Sequence, residues 1–264
     1  MIRALLISLT ALGCSTPEIV AGTELELTNV SRSCGSAPSY QRIIDRGACQ
    51  YWSTRTFEWR MDGDGSADVP GDEEEKAIER AFQAWSLATP CSDWVFKQGP
   101  KVARAVAAND GLNQMVFRPV ACDRAAPPDD GCWTDASCDD KYNCWNFRET
   151  AMAITTSTFN SRSGEMIDAD IELNAVNYFF TTVDGPKCPQ GVLAANCVSS
   201  DLQATVTHEI GHTLGLGHAS GPTFSTMGVR SEPGDRSMRV IDASSACFVC
   251  DVYPAGRPAR ACQL

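Results

Sequence analysis

The sequence predicts an α/β (α+β) domain: a twisted, mixed, mostly parallel five-stranded sheet with three helices, stapled by disulfides. Three observations predict it. Short alternating or apolar β-forming segments recur along the chain, separated by stretches of helical period. The 264 residues suffice for one domain of about 200 residues with a substantial core. The 13 cysteines are a density that calls for an oxidising compartment.

The elements follow in order. Residues 14–50 read as a Ser/Thr/Gly-containing lead without a clear period, a linker plus a docked segment, and the domain spans 51–264. Thr56-Phe57-Glu58-Trp59-Arg60 alternates like a first strand. Pro70-Gly71-Asp72 leads into a helix over 73–88, whose positive end suits Glu73, Glu74 and Glu75. Ile78, Ala81, Phe82, Trp85 and Ala88 form its buried stripe. Trp94-Val95-Phe96 and Met115-Val116-Phe117 read as the next two strands. Residues 121–148 hold Cys122, Cys132, Cys138 and Cys144 among Pro, Asp and Gly, a loop too polar to fold by burial and stapled by disulfides. Ala151–Thr158 and Ile167–Leu173 complete the strands. Asp168 and Asp170 alternate onto one face of the last, as hard ligands for calcium or as an acidic pair at the surface. The other helices are a stretch from about 201 to 214 and Val240–Tyr253, and no internal repeat is present.

All three histidines fall in one eleven-residue stretch, His208-Glu209-Ile210-Gly211-His212-Thr213-Leu214-Gly215-Leu216-Gly217-His218. Ser200 with Gln203 reads as a capping box, and Asp201 adds negative charge to the first turn. At about 100° per residue, Leu202, Val206, Ile210, Thr213 and Leu214 share one arc. His208 and His212 lie opposite, one turn apart on one face. Gly215 supplies a helix-ending residue with positive φ, and the chain can double back to deliver His218. Three histidines and a water make an open tetrahedral zinc site, catalytic in type, and zinc lowers the pKa of such a water towards about 7. Glu209 lies beside the metal and not on it, placed as a general base.

The stretch His208–His218, followed by Ser225-Thr226-Met227, resembles the metzincin zinc metalloproteases, in which a methionine turn lies beneath the zinc. Within them the chain looks most like the matrixins, the matrix metalloproteinases and their bacterial relatives. Residues 77–86 and 164–174, and Tyr253-Pro254 closing the domain, carry that similarity over roughly residues 50–255. Ala219 stands where astacins have Glu after the third histidine.

The resemblance implies a zincin-like domain with endopeptidase activity, in which Met227 is a structural turn residue and protein or peptide substrates lie along the strand at 151–158. It implies that 228–239 wall the pocket for the residue following the cut bond. The loop over 121–148, read from its own residues, is either an insert that shapes the cleft or only a stapled loop. The resemblance also implies calcium in the region of Asp168 and Asp170. The second, structural zinc of the matrix metalloproteinases has no histidines left here, so one catalytic zinc is expected. Arg32-Ser33-Cys34-Gly35-Ser36-Ala37-Pro38 is faintly similar to the propeptide cysteine that blocks the zinc, with an ordinary disulfide the favoured role of Cys34.

Met1-Ile2-Arg3, an apolar run from Ala4 to Leu12 and Gly13-Cys14 read as an export signal of lipoprotein type over residues 1–13. A simple cleaved signal is the alternative. Lipidation of Cys14 would tether the protein to a bacterial membrane and leave 12 cysteines, enough for six disulfides. Either way the expected location is extracytoplasmic, secreted or at the cell surface, with a monomer as the expected state. With 33 acidic and 22 basic residues the net charge is −11, which disfavours nucleic acid as a partner. Two other functions stay open, a catalytically silent binding module of the same fold and a zinc hydrolase acting on a non-peptide substrate.

Overall fold

The computed structural model describes residues 40–219 and 225–262, and the backbone of residues 2–10. A mixed sheet is built from β4 (Thr56–Met61), β5 (Val95–Gln98), β6 (Asn113–Arg118), β9 (Ala151–Asn160) and β10 (Met166–Asn174), in the order β9-β10-β6-β4-β5. The pairs β4–β5, β4–β6 and β6–β10 are parallel, and β9 runs antiparallel to β10. These five strands are the mixed, mostly parallel set that the β-forming segments predicted, and a sixth joins them. Along the outer edge of β9 runs β1 (Ile2–Thr10), antiparallel, in register from Ile2 opposite Asn160 to Leu9 opposite Ala153, with a shift before Thr10 opposite Ala151. An unpaired edge accepts any extended segment that meets its backbone groups. Cys14 and Cys34 lie outside the described residues.

Among the described residues six α-helices accompany the sheet: α1 (Glu73–Ala88), α2 (Cys122–Ala125), α3 (Cys132–Asp135), α4 (Cys138–Tyr142), α5 (Leu202–Thr213) and α6 (Ala243–Val252). Three of them are the expected long ones. The stripe of α1 is buried throughout, and Phe82 stacks on Trp59 of β4 with ring centroids 4.7 Å apart. Trp85 then ties α1 to α5 by donating its indole N–H to Thr207 O at 2.8 Å. The last helix begins at residue 243, not 240, because Asp242 caps it, accepting from the N–H groups of Ser244 and Ser245.

The expected loop over 121–148 is instead three one-turn helices with two short strands, β7 (Val120–Ala121) and β8 (Cys144–Trp145). Cys122–Cys144 and Cys132–Cys138 staple it, and these four cysteines with Ala126 form a small core of their own. Cross-links replace the apolar burial the segment lacks. Three more disulfides join Cys49–Cys262, Cys91–Cys250 and Cys188–Cys197, and Cys247 is also disulfide-bonded.

Asp168 and Asp170 are not at the surface. With Glu172 they form one face of β10, each about 1% exposed. Arg118, fully buried, spans Glu172 at 2.7 Å and Asp140 of α4 at 2.6 Å, and donates to Asp139 O. Asp170 accepts from the Gln114 N–H, while Asp168 Oδ1 is buried without a hydrogen-bond partner. Burial, with Asp110 adding repulsion, pushes the Asp168 carboxyl up to about 7. Burial and then Asp168 hold Asp170 well above its ordinary value.

Candidate metal centre

The site is carried by α5, which is buried on every side. Its amino end is capped by Asp201, whose side chain accepts from Ala204 N at 2.8 Å and pairs with Arg239. The expected box of Ser200 and Gln203 does not form. Ser200 lies in a short strand, Ser200–Asp201, and Gln203 instead accepts from Arg80 Nε. At the other end, Gly215 has φ +96°, and a Cβ there would stand 2.7 Å from Gln50 O. The chain turns, and His218 arrives opposite the helical pair.

His208, His212 and His218 present one ligand nitrogen each, all within 4.8 Å of one another. Among the described residues they form the one cluster of three or more metal-ligating side chains; Asp168 and Asp170 belong to no comparable group. His212 Nε2 and His218 Nε2 are 3.2 Å apart. Two nitrogens on a tetrahedral zinc at about 2.0–2.1 Å stand roughly 3.4 Å apart. The ring tautomers are set by backbone carbonyls: His208 Nδ1 donates to Thr226 O and His212 Nδ1 to Leu216 O, both at 2.7 Å. Each Nε2 therefore keeps its lone pair. His208 Nε2 is buried with no hydrogen-bond partner, an orphaned acceptor that fits a cation. Burial pushes the His208 imidazole down to about 3, and lowers His212 and His218 too, which keeps all three neutral as ligands must be. His218 alone of the three is partly exposed.

Glu209 is fully buried. Its Oε2 accepts from the Thr155 hydroxyl of β9 at 2.6 Å, and Oε1 has no partner. Burial raises its carboxyl to about 8, against the opposing Thr155 bond. A divalent cation beside it would draw that value down again. Met227 is buried under the helix, close enough that a Cβ on Gly211 would lie 2.2 Å from its Sδ and 3.2 Å from Trp85 Cζ2. Gly211→Ala gains helix propensity of about 1 kcal/mol, but the overpacking costs about 1–3 kcal/mol. With Met227 enclosed, the clash wins. The expected result is a lower denaturation midpoint, and a stabilised variant would show the thioether free to move aside.

No family model and no curated protein matches this chain. The expected ligands His208, His212 and His218, the carboxylate Glu209 and Met227 are nevertheless brought together by α5 and the two turns that follow it. Sequence reasoning missed two supports. Thr155 is one of several threonines in an ordinary strand, with no local signal to mark it. Asp242 accepts from Thr226 N at 2.9 Å and Ser225 Oγ at 3.0 Å, so it binds the Met227 turn to α6. An Asp three residues ahead of Ser245, before an apolar run, was its legible signature.

Proposed function

We propose that this chain is a zinc-dependent endopeptidase of the matrixin group of metzincins, secreted or held at a bacterial surface, that hydrolyses peptide bonds of protein substrates. One observation carries the proposal: three imidazoles converge, and the carboxylate adjoining the first of them, Glu209, keeps a free, buried oxygen. A site built only to hold metal has no use for that carboxylate. Bound zinc supplies a Lewis acid that acidifies water and polarises a carbonyl. Thr155 orients Glu209 through Oε2 and leaves Oε1 to take a proton and pass it to the leaving amine. The outer edge of β9 supports a peptide substrate, because an extended segment can add there in antiparallel register as Ile2–Thr10 does. The five named disulfides support an oxidising compartment.

The test is digestion of a peptide library by the full-length protein, with metal analysis alongside. The expected result is one zinc per chain and cleavage that a chelator abolishes and added zinc restores. Hydrolysis of small amides or esters with unfolded casein left intact would replace the proposal with a non-peptide hydrolase. Zinc-loaded protein without any hydrolysis would leave a binding module.

A further inference from the structure

The turn that carries the chain from the second imidazole to the third is held from outside. A helix ends with carbonyls that have no partner within it. Here the carbonyls of Thr213, Leu214, Gly215 and Leu216 each meet a donor. Trp52 Nε1 donates to Thr213 O and the Tyr253 hydroxyl to Leu214 O, both at 2.7 Å. Ile43 N–H donates to Gly215 O at 2.9 Å, and His212 Nδ1 to Leu216 O. Gly217 N–H reaches back to Gln41 O at 2.8 Å, and Arg42 bridges to Leu216 in antiparallel fashion. The Trp52 backbone N–H donates to the Tyr253 oxygen at 3.2 Å, which ties Tyr253 to the segment that carries Trp52. Tyr253 is fully buried, and burial raises its phenol, which stays a donor. The segment that brings Ile43 and Trp52 contains a hairpin, β2 (Ile44–Asp45) with β3 (Ala48–Cys49), fastened to the C-terminal tail by Cys49–Cys262.

The peptide from Thr213 to Gly217 does two things at once. It delivers His218, and through Leu216 O it fixes the ring of His212. We propose that Tyr253 and Trp52, acting with this hairpin, are positioning residues for the second and third imidazoles and set the affinity of the triad for zinc. The inference rests on the metal-centre reading above. It assigns a role to side chains that touch neither metal nor substrate.

The experiment measures zinc affinity of the full-length protein by chelator competition, and the visible spectrum of the cobalt-substituted form. Tyr253→Phe removes one hydroxyl and keeps the ring. It is expected to weaken zinc binding about tenfold and to alter the cobalt bands, as losses of outer-shell support do. Trp52→Phe is a second, independent variant with the same expectation. Tyr142→Phe deletes a comparable hydroxyl bond, to Asp130 in the stapled insert, and should leave affinity and spectrum unchanged. The denaturation midpoint of each apoprotein separates loss of fold from loss of ligand geometry. Wild-type affinity and spectrum in both Tyr253→Phe and Trp52→Phe would overturn the inference. Equal weakening in Tyr142→Phe would overturn it too, reducing the effect to general destabilisation. A wild-type protein that takes up no zinc would overturn the metal-centre reading itself, and is told apart because the failure is already present without substitution.

Discussion

Glu209→Gln is expected to lower kcat/KM for peptide hydrolysis about a thousandfold while the protein keeps its zinc, within the range of about 10²–10⁴ that a positioned acid–base group contributes. Glutamine has the shape of glutamate and can still accept the Thr155 hydroxyl through its amide oxygen. The helix, the three imidazoles and their carbonyl partners Thr226 O and Leu216 O are untouched. What is lost is the ability to hold a proton at the oxygen that Thr155 leaves free. The substitution therefore separates proton transfer from metal binding, which a histidine variant cannot do. Metal analysis and steady-state kinetics on one preparation decide it. Full peptidase activity in the glutamine variant would remove Glu209 from the mechanism, and loss of zinc together with activity would make it a structural support.

Much of this arrangement was legible in sequence because the forces that set it are local. The stripe of α1 and the spacing of His208 and His212 depend on helical period alone, and Gly215 on the steric freedom of its own backbone. The strand at 56–60 alternates because one face meets the core, and Met115–Phe117 is an apolar run because that strand is central and buried on both faces. What stayed hidden depends on residues distant in the chain. Asp201 and not Ser200 caps the helix because both residues pair as a short strand with residues 180 and 181, so the helix starts only at Leu202 and Asp201 is the residue before it. The helices of the insert exist because two disulfides close short loops around them, and nothing in their polar sequence announces a helix. Asp168 and Asp170 look like surface residues until the segment carrying Asp110 and Gln114 is folded against them. Nothing in the sequence marks Trp52, and Tyr253 stands out there only in the Tyr253-Pro254 pair that closes the domain. Their hydrogen bonds, not their burial, connect them to the site.

Removing Arg118 should expose how heavily the fold leans on that buried face. The guanidinium is fully buried, Glu172 is nearly so, and Asp140 is partly exposed. Breaking a buried pair by deleting one partner costs about 3–5 kcal/mol, because a charge is left without compensation. Arg118→Met, similar in volume and neutral, is expected to destabilise by that amount at pH 8. The cost should shrink towards pH 5. Burial pushes the Glu172 carboxyl up to about 7 even with Arg118 lowering it, above its ordinary value of 4.5. A carboxyl raised in the folded state contributes stability that is fully present below the unfolded pKa and is lost as pH rises through the folded one. At pH 5 Glu172 is largely protonated in both proteins, so the variant no longer strands a charge. At pH 8 the wild type pairs the carboxylate with Arg118, whereas the variant must bury it alone or take up a proton. Denaturant unfolding of the two proteins at pH 5 and pH 8 measures the difference. A destabilisation independent of pH would mean that Arg118 acts through packing and its bonds to Asp140 and Asp139 O, and that Glu172 stays neutral throughout.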